Sequence, residues 1–187
     1  IQFIRELSVA CRQRGLVLSV DNYVPSEYTS FYNRSEQGVF ADYVIVMGYD
    51  EHYAGGDAGS VSSISFVREG IENTNKEVPK EKVINGVPFY TRVWTEKDGT
   101  TTSRAYGIAS AREWVETNNV QLEWQENLGQ YYGEVENENG LQRIWMEEER
   151  SLGLKVDLIN EYDIAGVGCW KLGFETAAIW EVSSRVE

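Results

Sequence analysis

The chain has 187 residues and carries 17 Lys and Arg against 30 Asp and Glu, so its formal net charge is −13. A surface this acidic repels phosphate, which excludes nucleic acid and disfavours an anionic membrane as a partner. No uncharged apolar run approaches the roughly 20 residues that span a bilayer, so we expect no membrane segment. Apolar residues make up 42% of the chain and charged residues 25%, values typical of a folded globular domain.

The cysteine and histidine content limits the possible chemistry. Cys11 and Cys169 lie near opposite ends of the chain and form no Cys-x-x-Cys pair. Each lies in an apolar setting, where a free cysteine packs as a small hydrophobic residue, so we expect both to be free. A single disulfide between them is the alternative. His52 is the only histidine, which excludes a His-based triad and a site built on several histidines. The sequence predicts no metal and no cofactor.

Hydrophobic periodicity divides the first half of the chain into alternating helices and strands. Helical spacing of apolar residues predicts two helices, over residues 1–14 and 60–75. Short, continuously apolar runs predict three strands buried on both faces, over residues 15–20, 41–47 and 82–89. A polar, Tyr-rich loop follows the first strand. Alternation of such strands with amphipathic helices is typical of a parallel α/β sheet.

The alternation is interrupted by a segment over residues 95–146. A capping box, Ser110-Ala-Arg-Glu113, predicts a short helix. Three strands are predicted after it, the last two joined at Asn139-Gly140: residues 121–125, 131–136 and 141–146. This segment is a small α+β insertion. The helix–strand pattern then resumes with three elements: a helix over 147–162, a strand over 164–170 and a helix over 174–182.

These elements fit either a small doubly wound sheet or part of a (β/α)₈ barrel, because a complete barrel needs about 250 residues. Both folds bind ligands at the C-terminal ends of their parallel strands. Those ends carry aromatic and charged side chains: Met47, Tyr49, Asp50, Tyr90, Arg92, Trp94 and Trp170. Aromatic faces stack on sugar rings, and carboxylates and phenols orient hydroxyl and amide groups. A carbohydrate site is predicted; the alternative is that the aromatic residues only cover the end of the sheet.

Three segments carry a specific resemblance: residues 41–50 (ADYVIVMGYD), 83–92 (VINGVPFYTR) and 166–173 (GVGCWKLG). In residues, order and spacing they are similar to strands of the family 18 glycoside hydrolases, the chitinase and chitinase-like family. The resemblance implies that residues 1–187 are the C-terminal half, strands five to eight, of a TIM barrel. The insertion is most similar to that of bacterial spore-cortex and cell-wall N-acetylglucosaminidases, which implies a secreted, cell-wall or spore-associated parent.

The resemblance also implies residue roles. In this family the 2-acetamido oxygen of the substrate attacks the anomeric carbon while one Glu protonates the leaving oxygen. Tyr49 would donate its hydroxyl to the acetamido carbonyl, Asp50 would contact the same sugar, and Trp170 would form the floor beneath it. The other expected substrate-binding residues are Met47, Tyr90, Arg92 and Trp94. The substrate class implied is a β-1,4-linked N-acetylglucosamine polymer, either peptidoglycan or chitin.

Two departures from the family pattern shape the prediction. The family's acid closes an Asp-x-x-Asp-x-Asp-x-Glu motif, which occurs nowhere in these 187 residues, and neither Asp21 nor Glu51 replaces it. We therefore expect no glycosidase activity from this polypeptide by itself. Thr91 stands where the family usually has Gly. A non-catalytic lectin of the same fold and a self-contained α/β domain remain alternatives. A half-barrel exposes strand edges, which predicts association with the absent half or self-association.

Overall fold

The computed structural model describes residues 1–187 and contains six α-helices and two sheets. In chain order the elements are α1 (Gln2–Arg12), β1 (Ser19–Tyr23), α2 (Arg34–Phe40), β2 (Tyr43–Met47), α3 (Ile64–Asn75), β3 (Val83–Pro88), β4 (Tyr90–Lys97), β5 (Thr100–Gly107), α4 (Ile108–Thr117), β6 (Glu123–Gln125), β7 (Gln130–Asn137), β8 (Gly140–Met146), α5 (Glu149–Glu161), β9 (Gly166–Trp170) and α6 (Ala177–Ser183). The parallel sheet has the order β1-β2-β3-β9, and the antiparallel sheet has the order β5-β4-β8-β7-β6. None of the helices combines the length and apolar character that a membrane crossing requires.

The parallel sheet buries one face and leaves the other partly open. Val44 and Val46 of β2 are buried against α3 and α5, with Ile71 and Ile159 in the same core. The intervening side chains of β2 point to the opposite face and remain exposed or half-buried. The prediction that the strands are buried on both faces is therefore wrong for β2. Both cysteines are free, and Cys169 packs beside a second core around Val87 and Phe89.

The first strand begins later than the hydrophobic run predicted. Leu16 and Val17 are 57% and 70% exposed and precede the strand. The register of β1 is set by its partner, because β1 pairs with β2 from Ser19↔Tyr43 to Tyr23↔Met47. Strand pairing thus overrides the local hydrophobic pattern. The polar loop predicted after this strand contains α2, whose buried Arg34 donates to the carbonyl oxygen of Tyr23 at 3.0 Å.

The antiparallel sheet is larger than the sequence predicted. The hairpin of β7 and β8 is confirmed, but a second hairpin, β4 with β5, was missed. Asp98 and Gly99 form its two-residue turn with φ of 51° and 73°, the left-handed conformation that two-residue hairpin turns require. β4 begins two residues after β3 ends. Buried Thr91 on β4 donates its hydroxyl to the carbonyl oxygen of Trp145, so it belongs to this sheet.

A buried polar network joins the antiparallel sheet to α5 and to the loop after β2. The ammonium of Lys155 lies 2.8 and 2.9 Å from the two carboxylate oxygens of Glu147, and both side chains are 1% exposed. Gln130 and Ser151 donate to the same carboxylate, at 2.5 and 2.9 Å. Ser60 in turn donates to Gln130 at 2.5 Å. Burial raises the pKa of Glu147, and the Lys155 ammonium opposes that shift.

Candidate functional site

A cavity of about 200 Å³ opens on the less buried face of the parallel sheet, near the C-terminal ends of its strands. Its lining is Asp21, Ile45, Met47, Tyr49, Gly86, Gly168, Cys169 and Trp170. Gly86 pairs with Met47 on one side and with Gly168 on the other. A Cβ at Gly86 would lie 3.0 Å from the Tyr49 ring, so the absence of a side chain there makes room for the phenol. Small residues in the sheet thus create the cavity.

A larger cleft of about 720 Å³ adjoins this cavity and shares Tyr49 with it. The other residues lining the cleft are Tyr23, Val24, Pro25, Ser26, Tyr28, Thr29, Asp50, Tyr53, Phe66 and Glu69. Three of its aromatic rings face solvent: Tyr23 is 54% exposed, Tyr28 81% and Tyr53 59%. The cavity and the larger cleft together form one extended groove lined by aromatic rings and carboxylates. We name this whole groove the acidic cleft.

Tyr49 is held as a protonated hydrogen-bond donor. Burial raises its pKa to about 12, and the neighbouring carboxylates of Asp21 and Asp50 add to the shift. Because this pKa lies far above neutrality, the phenol keeps its proton under all physiological conditions. A phenol of this kind donates to a carbonyl oxygen and does not act as a base. The arrangement at Tyr49 is therefore suited to holding an amide or acetamido group.

Asp50 is oriented by Tyr90. The Tyr90 hydroxyl donates to the Asp50 carboxylate at 2.5 Å, and burial together with this bond raises the pKa of Tyr90. Asp50 itself has a φ of 59°, a left-handed conformation that a non-glycine residue adopts at some cost. Backbone hydrogen bonds from Gly48 to Gly86 and from Glu51 to Val61, both 3.0 Å long, hold the chain on either side of Asp50 at the edge of the cleft.

The loop after Asp50 is anchored at several points. Glu51 accepts hydrogen bonds from the backbone nitrogen and hydroxyl of Ser63, at 2.7 and 3.0 Å, at the start of α3. The hydroxyl of Ser62 donates to the carbonyl oxygen of Gly48 at 2.6 Å. Trp94 donates from its indole nitrogen to the carbonyl oxygen of Gly59 at 2.9 Å. The contacts of Gly48 and Glu51 fix the backbone on either side of Tyr49, so Glu51 has a structural role at this loop.

The structure brings together only part of the predicted set. Met47, Tyr49 and Trp170 line the cavity, and Asp50 lines the adjoining cleft. Tyr90 is 5% exposed and reaches the groove through its bond to Asp50.

The predicted positions of Trp94 and Arg92 need correction. Trp94 is 1% exposed, so it cannot contact substrate; it packs between the antiparallel sheet and the loop. Arg92 lines neither the cavity nor the cleft, and it donates to the hydroxyl of Ser103 at 3.2 Å on the neighbouring strand. Burial contradicts substrate contact for Trp94, whereas a substrate-binding role for Arg92 stays a prediction. These residues belong to β4 of the antiparallel sheet, whereas the sequence placed them at the end of a parallel strand.

Asp21 is a cavity residue that sequence reasoning missed. It lies on β1, paired with Ile45, and its side chain is exposed on the cavity face. The hydrophobic run predicted that the strand ends at Val20, which placed Asp21 in a loop. Extending the strand to Tyr23 would have aligned Asp21 and Tyr23 on one face, because strand side chains alternate with a period of two.

A parallel α/β sheet whose C-terminal edge carries an aromatic groove with a phenol donor and carboxylates defines a class of α/β proteins that bind ligands at that edge. Within that class the chain belongs to the glycosyl hydrolases family 18, whose sequence model matches residues 1–175. This confirms the resemblance seen in the three strand segments. It also establishes an α/β fold related to the TIM barrel.

Relatives with known sequences or structures agree with this membership. The cortical fragment-lytic enzyme of Bacillus subtilis (strain 168) is 29% identical over 188 residues, which cover 96% of this chain and 44% of that enzyme. The crystal structure of the Bacillus cereus spore cortex-lytic enzyme SleL aligns with a TM-score of 0.88 at 25% identity, over 99% of this chain and 44% of that one.

A chitinase from Chromobacterium violaceum ATCC 12472 aligns with a TM-score of 0.91 at 24% identity, over 98% of this chain and 59% of that one, and shares the fold. The chain thus covers only part of each of these relatives, and it spans 44% of the length of the cortical fragment-lytic enzyme.

Proposed function

We propose that this chain is the C-terminal half, strands five to eight, of the (β/α)₈ barrel of a retaining glycoside hydrolase. Its substrate class is β-1,4-linked N-acetylglucosamine polymers, peptidoglycan or chitin. The observation that carries the proposal is the placement of a protonated Tyr49 and an exposed Trp170 in one cavity. The names of the relatives, cortex-lytic enzymes and chitinases, support the substrate class, and they favour a spore or cell-wall location for the parent protein.

The two edges of the parallel sheet support the half-barrel. β1 and β9 are its terminal strands, and each has one parallel neighbour. Further strands could add at both edges and close the sheet into a barrel. In this proposal residues 1–187 are one partial barrel domain, with residues 95–146 inserted in it. The partner is the N-terminal half of the barrel or, failing that, a second copy of the chain.

The proposed division of labour in the reaction is supported by the residues that line the cavity. Tyr49 donates to the acetamido carbonyl and orients its oxygen toward the anomeric carbon, and Trp170 supports the sugar ring from below. The oxygen attacks the anomeric carbon as the glycosidic C–O bond breaks, and the leaving oxygen takes a proton from a general acid. Water then opens the resulting oxazolinium ion at the anomeric carbon and returns a proton to that acid. That acid lies outside these 187 residues, which contain no Asp-x-x-Asp-x-Asp-x-Glu motif. The protein that joins this chain to the acid-bearing half is called the complete barrel below.

A non-catalytic lectin of the same fold is the second candidate. The exposed rings of Tyr23, Tyr28 and Tyr53 favour glycan binding whether or not an acid is present. The two candidates are distinguished by one residue in the other half of the complete barrel. A Glu at the end of the fourth-strand motif favours the hydrolase, and another residue there favours the lectin.

Two tryptophans provide a matched test of the site. Trp170 is 54% exposed in the cavity, so Trp170→Ala in the complete barrel should weaken binding of N-acetylchitotetraose by about tenfold. Its free energy of unfolding should change little. The control is Trp94→Phe, which loses the bond to Gly59 and leaves a void. This variant should lose about 1–3 kcal/mol of stability with affinity per folded molecule nearly unchanged.

Isothermal titration calorimetry and urea denaturation measure the two quantities separately. An unchanged affinity in Trp170→Ala, with the fold intact, would show that the cavity is not the sugar site.

A further inference from the structure

All charged side chains that line the acidic cleft are negative. Three carboxylates line it, those of Asp21, Asp50 and Glu69, and its lining contains no Lys, Arg or His. Asp50 is occupied by Tyr90, whereas Asp21 and Glu69 are exposed and take part in no salt bridge. The two unpaired carboxylates are therefore available to a ligand.

The nearby cations lie outside the acidic cleft. Arg92 lies behind Tyr90 and donates to Ser103. Beyond Pro25 and Ser26, which border the cleft, the guanidinium of Arg34 is buried and pairs with Glu77 at 3.5 Å. Lys76 keeps its positive charge, because it donates only to the neutral amide of Asn73 at 2.7 Å, but it lines a separate pocket and not the acidic cleft. A ligand in the groove therefore meets carboxylates and aromatic rings, with no cation of this chain facing it.

We propose that Asp21 and Glu69 select glycans by charge. The groove accepts neutral chains and chains with free amino groups, such as partly de-N-acetylated glucosamine polymers, and it disfavours chains whose sugars carry carboxylates, such as muramic acid. This inference rests on the proposed function and narrows its substrate class. A groove lined by one sign of charge and low-dielectric walls concentrates ligands of the opposite sign.

The two carboxylates act at different positions along the groove. Asp21 lies in the cavity that holds Tyr49, and Glu69 lies on α3 in the larger cleft. The sugar that reacts must keep its acetyl group, because that group provides the attacking oxygen. Free amino groups therefore occupy units that flank the reacting sugar. Units that lie in the larger cleft meet the carboxylate of Glu69. A carboxylate on a unit near either residue is repelled by that residue.

The test is a comparison of three hexasaccharides with the complete barrel: N-acetylchitohexaose, a partly de-N-acetylated chitosan hexamer, and a peptide-free hexamer alternating N-acetylglucosamine with N-acetylmuramic acid. Dissociation constants are measured at about 0.1 M and about 1 M salt, where the Debye length falls from about 10 Å to about 3 Å. At low salt the cationic hexamer should bind tightest and the anionic one weakest. At high salt the three affinities should converge.

The double variant Asp21→Asn, Glu69→Gln should lower the ratio of cationic to anionic affinity by about tenfold at low salt. The matched control is the double variant Glu81→Gln, Glu123→Gln, which removes two exposed carboxylates that line neither the cavity nor the cleft, and its ratio should stay unchanged. The inference would be overturned if the ratio of cationic to anionic affinity were the same in the wild type and in the Asp21→Asn, Glu69→Gln variant, or if the wild type preferred the anionic hexamer. In either case, binding of N-acetylchitohexaose would still uphold the proposed function. Failure of all three hexamers to bind would overturn the proposed function itself.

Discussion

Replacing Tyr49 with Phe in the complete barrel should lower kcat for N-acetylchitotetraose by about 10²-fold, because the attacking acetamido oxygen loses the donor that positions it. The phenol is the donor that faces the cavity, and its raised pKa of about 12 keeps the proton in place. Phe preserves the ring that packs over Gly86, so the free energy of unfolding should stay close to that of the wild type. Steady-state kinetics and urea denaturation measure these two quantities.

Tyr53→Phe is the matched control for Tyr49→Phe. Tyr53 is 59% exposed in the larger cleft and lies away from the cavity, so loss of its hydroxyl should change KM more than kcat. A Tyr49→Phe variant that keeps more than about a third of the wild-type kcat would show that Tyr49 does not hold the reacting acetamido group.

The second large effect is on stability. Lys155→Met should lower the free energy of unfolding by about 3–5 kcal/mol, because it leaves the carboxylate of Glu147 buried without its cation. The loop after β2 at the substrate site should also be destabilised, because Glu147 is linked through Gln130 to Ser60 in that loop. Urea denaturation followed by circular dichroism measures the stability change.

Two further variants show whether the buried charge is the cause. Glu147→Gln combined with Lys155→Met removes both charges, so the double variant should be more stable than Lys155→Met alone. Lys80→Met breaks an exposed pair with Asp163 and should change stability much less. If Lys155→Met and Lys80→Met destabilise the protein equally, the buried network does not make the stabilising contribution assigned to it.

Local patterns were sufficient to predict the elements that depend on local sequence. The apolar runs of β2, β3 and β9 and the helical spacing of α3 lie within a few residues of their observed bounds. The bounds of β1 could not be read locally, because pairing with β2 sets them. The strand β5 is rich in Thr and mostly exposed, so it has no apolar signal. The Asp98-Gly99 turn was its one readable sign.

The site was predictable where a motif carried it and not where packing decided it. Tyr49 and Trp170 followed from the strand segments that resemble the family, and both line the cavity. Trp94 lies in an equally aromatic segment, yet the antiparallel sheet buries it. Asp21 was missed because its strand was ended too early. The Lys155–Glu147 pair was invisible as well, since charged residues on a predicted helix are expected to face solvent.

The measurement that tests the central claim most directly is the anomeric configuration of the products of N-acetylchitotetraose hydrolysis by the complete barrel. Proton NMR during the first minutes distinguishes the two anomers before they equilibrate. Attack by the acetamido oxygen that Tyr49 orients predicts that the β-anomer forms first. Initial formation of the α-anomer would contradict the mechanism, and binding without any hydrolysis would establish the lectin instead.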